Sequence, residues 1–187
     1  MKFITGLLGC LLLAGCSLVS GSARQSANSQ DPPLSFRLPD LGEAPELTSQ
    51  VWLNTDAPLR LADLRGNVVL LEMWTFGCIN CKNVIPSLKD WYTAYSDQGL
   101  VIIANHYPEF DFEKDLDNLR KAVADQDIRY PVAQDNEGQT WLAYDNRFWP
   151  TLYLIDKNGR IRYTHIGEGS YQRTESAIQE LLAEPYP

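Results

Sequence analysis

Residues 67–74 read Asn-Val-Val-Leu-Leu-Glu-Met-Trp, and shortly after that run the chain reaches Cys78-Ile79-Asn80-Cys81. A run so uniformly apolar lacks the in–out alternation of a half-solvated strand, so it suits a central strand covered on both faces. The flanking segments can supply that cover. Candidate strands at residues 51–53 and 59–61 are separated by the turn composition Asn54-Thr55-Asp56-Ala57-Pro58. A helix is expected to begin near Cys78, pass Pro86 with a kink and end around Gly99, and residues 100–105 read as a second buried strand. Residues 112–126 carry helical spacing at Leu116, Leu119 and Val123. Residues 130–133 read as a short strand, 139–144 as a helical stretch and 170–182 as a final helix. Residues 151–155 and 160–166 form a hairpin around Lys157-Asn158-Gly159, an Asn-Gly turn signal. The β-α-β opening and β-β-α close predict an α/β fold: a central mixed β-sheet flanked by helices, with an N-terminal β extension.

The chain has four Cys and two His. Four cysteines are too few for a disulfide-rich scaffold, and one Cys-x-x-Cys without a second pair or clustered His is too little for a structural zinc site. Cys78 falls where a strand has ended and a helix begins. Orphan backbone N–H groups and the positive end of the helix dipole there are expected to favour its thiolate. Cys81, one turn later, lies close enough to form a disulfide with it, and its more enclosed position suits a resolving thiol. A redox couple is expected over a passive staple, because so small a ring constrains the unfolded chain little. Such dithiol chemistry needs no cofactor and no metal.

The net charge of −8 argues against nucleic acid and against anionic lipid surfaces as partners. At the N-terminus, Lys2 precedes an apolar run over residues 3–14 that is shorter than the ~20 residues of a spanning helix and fits a secretory signal. Leu13-Ala14-Gly15-Cys16 closing that run resembles the bacterial lipobox. The resemblance implies cleavage before Cys16, lipid on Cys16, loss of Cys10 with the signal, and, from Ser17, sorting to the outer membrane facing the periplasm. The expected organisation is a lipoprotein signal peptide over 1–15, a flexible Ser-, Gly-, Asn- and Gln-rich tether over 16–33, and one folded domain over 34–187.

Three motifs occur in order: Trp74-Thr75-Phe76-Gly77-Cys78-Ile79-Asn80-Cys81, His106-Tyr107-Pro108-Glu109-Phe110-Asp111-Phe112-Glu113-Lys114, and Asn146-Arg147-Phe148-Trp149-Pro150. Together they resemble the thioredoxin fold, and within the redoxin (AhpC/TSA) superfamily they are most similar to TlpA-type proteins and the extracytoplasmic domain of DipZ proteins. The resemblance implies a thiol-disulfide oxidoreductase in which Cys78 attacks and Cys81 resolves. Pro150 would be a cis-proline facing the pair. Trp149 would offer backbone to an extended substrate, and Trp74 would join them at the substrate groove. Implied partners are protein thiols and disulfides, with a membrane thiol carrier of the CcdA/DsbD type as redox partner. Without the resemblance, Trp149-Pro150 reads as an ordinary loop turn.

Glu72 breaks the apolar strand, and a buried carboxylate is costly unless it has a task. The resemblance implies that it accepts a proton from the resolving thiol; an edge-exposed or hydrogen-bonded structural role is the alternative. His106 and Glu109 either line the groove beside Cys78 or belong to a capped loop with a surface carboxylate. His165 has no partner in sequence, and Arg147 either orients a substrate backbone or pairs with a surface acid. A thiol peroxidase using Cys78 is the alternative activity. Thr75-x-x-Cys78 overlaps the peroxiredoxin pattern, but Leu71 stands where its Pro would fall. A metal-binding or purely structural lipoprotein ranks lower.

Overall fold

The computed structural model describes residues 38–186. The signal peptide, Cys16 and the tether expected from the sequence lie outside the described residues. In chain order the elements are β1 (Val51–Leu53), β2 (Val68–Trp74), α1 (Ile79–Tyr95), β3 (Leu100–His106), α2 (Leu116–Asp125), β4 (Val132–Gln134), α3 (Gln139–Ala143), β5 (Thr151–Ile155), β6 (Ile161–Ile166) and α4 (Tyr171–Ala183). No helix among the described residues is long and apolar enough to cross a membrane.

The strands form one mixed sheet in the order β1-β4-β3-β2-β5-β6. β2 is buried along its whole length, parallel to β3 on one side and antiparallel to β5 on the other. Its parity divides the core. Val68, Leu70 and Trp74 join the cluster covered by α1, α2 and α4, whereas Val69, Leu71 and Met73 pack with Trp141, Tyr144 and Leu47 on the opposite face. The sheet is therefore clothed on both sides, as the apolar run requires. Leu70 is fully buried between these layers. We expect Leu70→Ala to cost about 2–5 kcal/mol through lost transfer energy and a residual cavity, read as a lowered denaturant midpoint.

Helix α1 runs through Pro86, and its buried residues Cys81, Val84, Ile85, Leu88 and Trp91 repeat at helical spacing. After a short 3₁₀ turn at Ser96–Gln98 the chain reverses at Gly99, whose φ of 97° lies in the left-handed region that glycine enters without penalty.

The strand expected at 59–61 is instead the approach to a 3₁₀ turn over Leu61–Leu64. The Glu46 carboxylate accepts the N–H groups of Leu61 and Ala62, and donors committed to this cap do not join a ladder. The N-terminal segment is bound to the start of β6 through Leu41 N–H to the Ile161 carbonyl at 2.8 Å and Ile161 N–H to the Gly42 carbonyl at 2.9 Å. Arg162 completes this seam. Its guanidinium donates to Asp156 and Glu184 carboxylates at 3.0 Å each, and to the Leu38 and Pro39 carbonyls at 2.9 and 3.0 Å.

Candidate active site

Strand β2 ends at Trp74, and the short connection through Thr75, Phe76 and Gly77 delivers Cys78 to the N-cap of α1. The Cys78 N–H donates to the Thr75 carbonyl at 3.3 Å, and its own carbonyl accepts from Lys82 at 3.2 Å, so backbone bonds hold the residue on both sides. Cys78 is half-buried, Cys81 is fully buried, and both thiols are free. The difference follows from helical spacing: Cys81 begins the core-facing stripe of α1, whereas Cys78 sits at its open end. Burial, followed by the nearby Glu72 charge, pushes the Cys81 thiol far up.

Glu72 is fully buried, and neither carboxylate oxygen has a hydrogen-bond partner among the described residues. Desolvation alone raises its pKa to about 8. Parity puts Glu72 on the same sheet face as Leu70 and Trp74, the face that α1 covers and that holds Cys81. An edge-exposed Glu72 does not fit this environment.

The third motif arrives from the other side. The Trp149–Pro150 bond is cis, and the Trp149 carbonyl lies 3.9 Å from Cys78 Sγ, the contact length of a weak S–H donor. Trp149 is set by its indole N–H, which donates to the Tyr107 carbonyl at 3.1 Å, and by packing against Tyr107 and Trp141. Cys78, Trp149 and Pro150 thus come together at the carboxyl edge of the parallel strands, with Ile79 and Phe148 exposed beside them.

Other expected residues fall elsewhere. Trp74, placed at the substrate groove from the sequence, is fully buried beneath the site and presents no surface to a substrate, because its parity turns it into the α1 core. His106 does not line the groove either. It is fully buried at the end of β3, stacked on Phe76 and edge-on to Trp74, and desolvation lowers its pKa to about 4, leaving a neutral imidazole. Glu109 is exposed, Arg147 pairs with the exposed Asp145 at 3.2 Å, and His165 lies in β6 opposite Leu152.

Nothing in the sequence sets Glu113 apart from Glu109. Glu113 is fully buried in a 3₁₀ turn over Asp111–Lys114 and accepts the N–H groups of Gly77 at 2.9 Å, Glu109 at 2.6 Å and Phe110 at 2.9 Å. The Thr75 hydroxyl lies 3.3 Å from His106 Nε2.

This arrangement agrees with comparisons with known proteins. The sequence profile of the AhpC/TSA family matches residues 42–164. The chain belongs to the AhpC/TSA family. This AhpC/TSA chain is 42% identical to DipZ of Mycobacterium bovis over 173 residues, covering 91% of the chain and 25% of DipZ, so it spans about a quarter of that relative's length. It is 28% identical to the thiol-disulfide oxidoreductase YkuV of Bacillus subtilis over 75% of the chain and 94% of YkuV. The solved structure of a thioredoxin-like superfamily protein superposes with a TM-score of 0.73 and 31% identity, covering 78% of this chain and 99% of that one. The fold is thioredoxin-like.

Proposed function

We propose that this protein is an extracytoplasmic thiol-disulfide oxidoreductase that exchanges electrons with protein disulfides through Cys78 and Cys81. The observation that carries the reading is the unequal burial of the pair: a half-exposed Cys78 at the N-cap of α1, backed by a fully buried Cys81 on the sheet face that holds Glu72. The Cys78 thiolate attacks one sulfur of a substrate disulfide, breaking that bond and releasing the other sulfur as a thiolate. Glu72 then takes the proton of Cys81, whose sulfur attacks Cys78. The Cys78–Cys81 disulfide forms, the second substrate thiol leaves, and two electrons have passed from the protein to the substrate. The Trp149 backbone and Pro150 border the docked chain, and the exposed Ile79 and Phe148 favour a polypeptide over a small hydrophilic thiol.

The functional setting belongs to the same proposal. Residues 1–15 act as signal, Cys16 carries lipid, 16–33 tether the domain of residues 34–187, and the anchor holds it at the outer membrane facing the periplasm. That compartment is oxidising, so a reductase there draws electrons from a membrane thiol carrier of the CcdA/DsbD type.

In the peroxidase alternative, Thr75 would serve Cys78. The Thr75 side chain is fully buried and engaged with His106, which favours disulfide exchange. Cys81→Ser separates the two activities. We expect this variant to accumulate mixed disulfides with protein partners through Cys78, identified by mass spectrometry of non-reduced complexes. Rapid first-turnover consumption of peroxide without trapped partners would overturn the exchange reading.

A further inference from the structure

We propose that Glu113 is a positioning residue for thiol exchange at Cys78, its carboxylate joining the loop that carries the dithiol to the loop that follows β3. The proposal rests on Cys78 being the attacking thiol. β2 and β3 run parallel in register, with Trp74 opposite His106, so both loops leave the same edge of the sheet. The backbone link between them there is the Tyr107 N–H to the Trp74 carbonyl at 3.0 Å. Past that point Glu113 takes over. One oxygen, Oε1, accepts the Gly77 N–H at 2.9 Å, immediately before Cys78, while Oε2 accepts the Glu109 and Phe110 N–H groups at 2.6 and 2.9 Å.

Gly77 supplies an independent sign of this fit. Its φ lies outside the left-handed region, so backbone conformation does not call for glycine. A Cβ built there would fall onto Oε1 of Glu113, so the carboxylate occupies the space that a side chain would need. A buried carboxylate is tolerated when donors surround it. Desolvation pushes the Glu113 pKa up, but the Thr75 hydroxyl and the Phe110, Glu109 and Gly77 N–H groups outweigh it and hold the carboxyl below its ordinary range. The fixed charge therefore persists at neutral pH. The same turn carries Phe112, whose ring meets Phe76 at 5.8 Å, so the bridge also sets the aromatic flank of the dithiol loop.

A double-mutant cycle on the full-length protein tests this assignment, read as the second-order rate at which the reduced protein cleaves a disulfide-linked peptide. Gln at 113 cannot accept from both loops, and Ala at 77 displaces the carboxylate from the other side. Each of Glu113→Gln and Gly77→Ala is expected to slow exchange by about 10-fold or more, the scale of small misplacements of a reacting group. The double variant should be no slower than the slower single one, because both changes break the same contact. A merely structural Glu113 would lower the melting temperature and leave the rate at 25 °C intact. Folded single variants with the parental rate, or effects that multiply in the double variant, would overturn the assignment. In the unmodified protein the Gly77 amide should be protected from deuterium exchange whether or not the variants fold, and an unprotected Gly77 amide overturns the bridge directly. A parent that fails to cleave the peptide defeats the exchange reading itself, whereas an active parent with unaffected variants defeats only the role of Glu113.

Discussion

Cys78→Ser is expected to abolish disulfide reduction, by on the order of 10³-fold or more, while the far-UV spectrum and melting temperature stay close to the parent's. The two halves of this expectation have separate causes. A hydroxyl does not replace a thiolate as the nucleophile toward sulfur, so the first bond-making step is lost. Ser is, however, a favoured N-cap residue, and Cys78 holds that position in extended conformation with φ −73° and ψ 123°. The start of α1 therefore survives the change. Cys81→Ser differs in kind, since it keeps the attacking sulfur and stops the reaction one step later. Unchanged reduction in Cys78→Ser would refute the assigned role of the pair, and an unfolded variant would refute the assigned role of Cys78 in the fold.

Glu72 should write itself into both stability and rate as functions of pH. Its carboxyl titrates near 4.5 when unfolded and near 8 when folded, because burial disfavours the charge. Between those values the folded protein holds a proton that the unfolded chain has released, so stability falls as pH rises through the window. The penalty is absent below about 4.5 and complete above about 8. At about 1.4 kcal/mol for each pH unit spanned, it reaches on the order of 5 kcal/mol. Glu72→Gln removes the titration, so its stability should stay level across pH 5–8 where the parent's declines, measured by denaturant unfolding at each pH. In turnover the sign reverses. The base is the carboxylate, so resolution of the mixed disulfide should accelerate toward pH 8 in the parent and be slower by about 10²-fold and flat in Glu72→Gln. Parallel pH–stability curves for parent and variant would show that Glu72 is not the group in question.

Much of this was legible in the residues themselves. The central strand, the hairpin and the dithiol at a helix start follow from apolar runs, an Asn-Gly turn and the position of Cys78. The failures have physical reasons. Residues 59–61 look extended by composition, but the Glu46 carboxylate, distant in sequence, caps the turn that replaces the strand. Trp74 draws attention as an aromatic near the cysteines, yet both faces of β2 are covered, and Trp74 lies on the face that packs against α1. Glu113 is the hardest case. In Glu109-Phe110-Asp111-Phe112-Glu113 the two glutamates look alike, and only the local turn decides that one is exposed while the other is inserted beneath Gly77.

The Arg162 seam has a directional consequence. It binds Leu38 and Pro39 at the start of β6, where Ile161 stands opposite Ile155 and Ile155 opposite Val69, at the beginning of β2. Cys78 follows the other end of that strand, about 17 Å further along at 3.3 Å per residue. Leu38 and Pro39 are therefore held at the pole of the domain opposite its reactive sulfur, so the Arg162 seam and the reacting loop occupy opposite ends of the sheet.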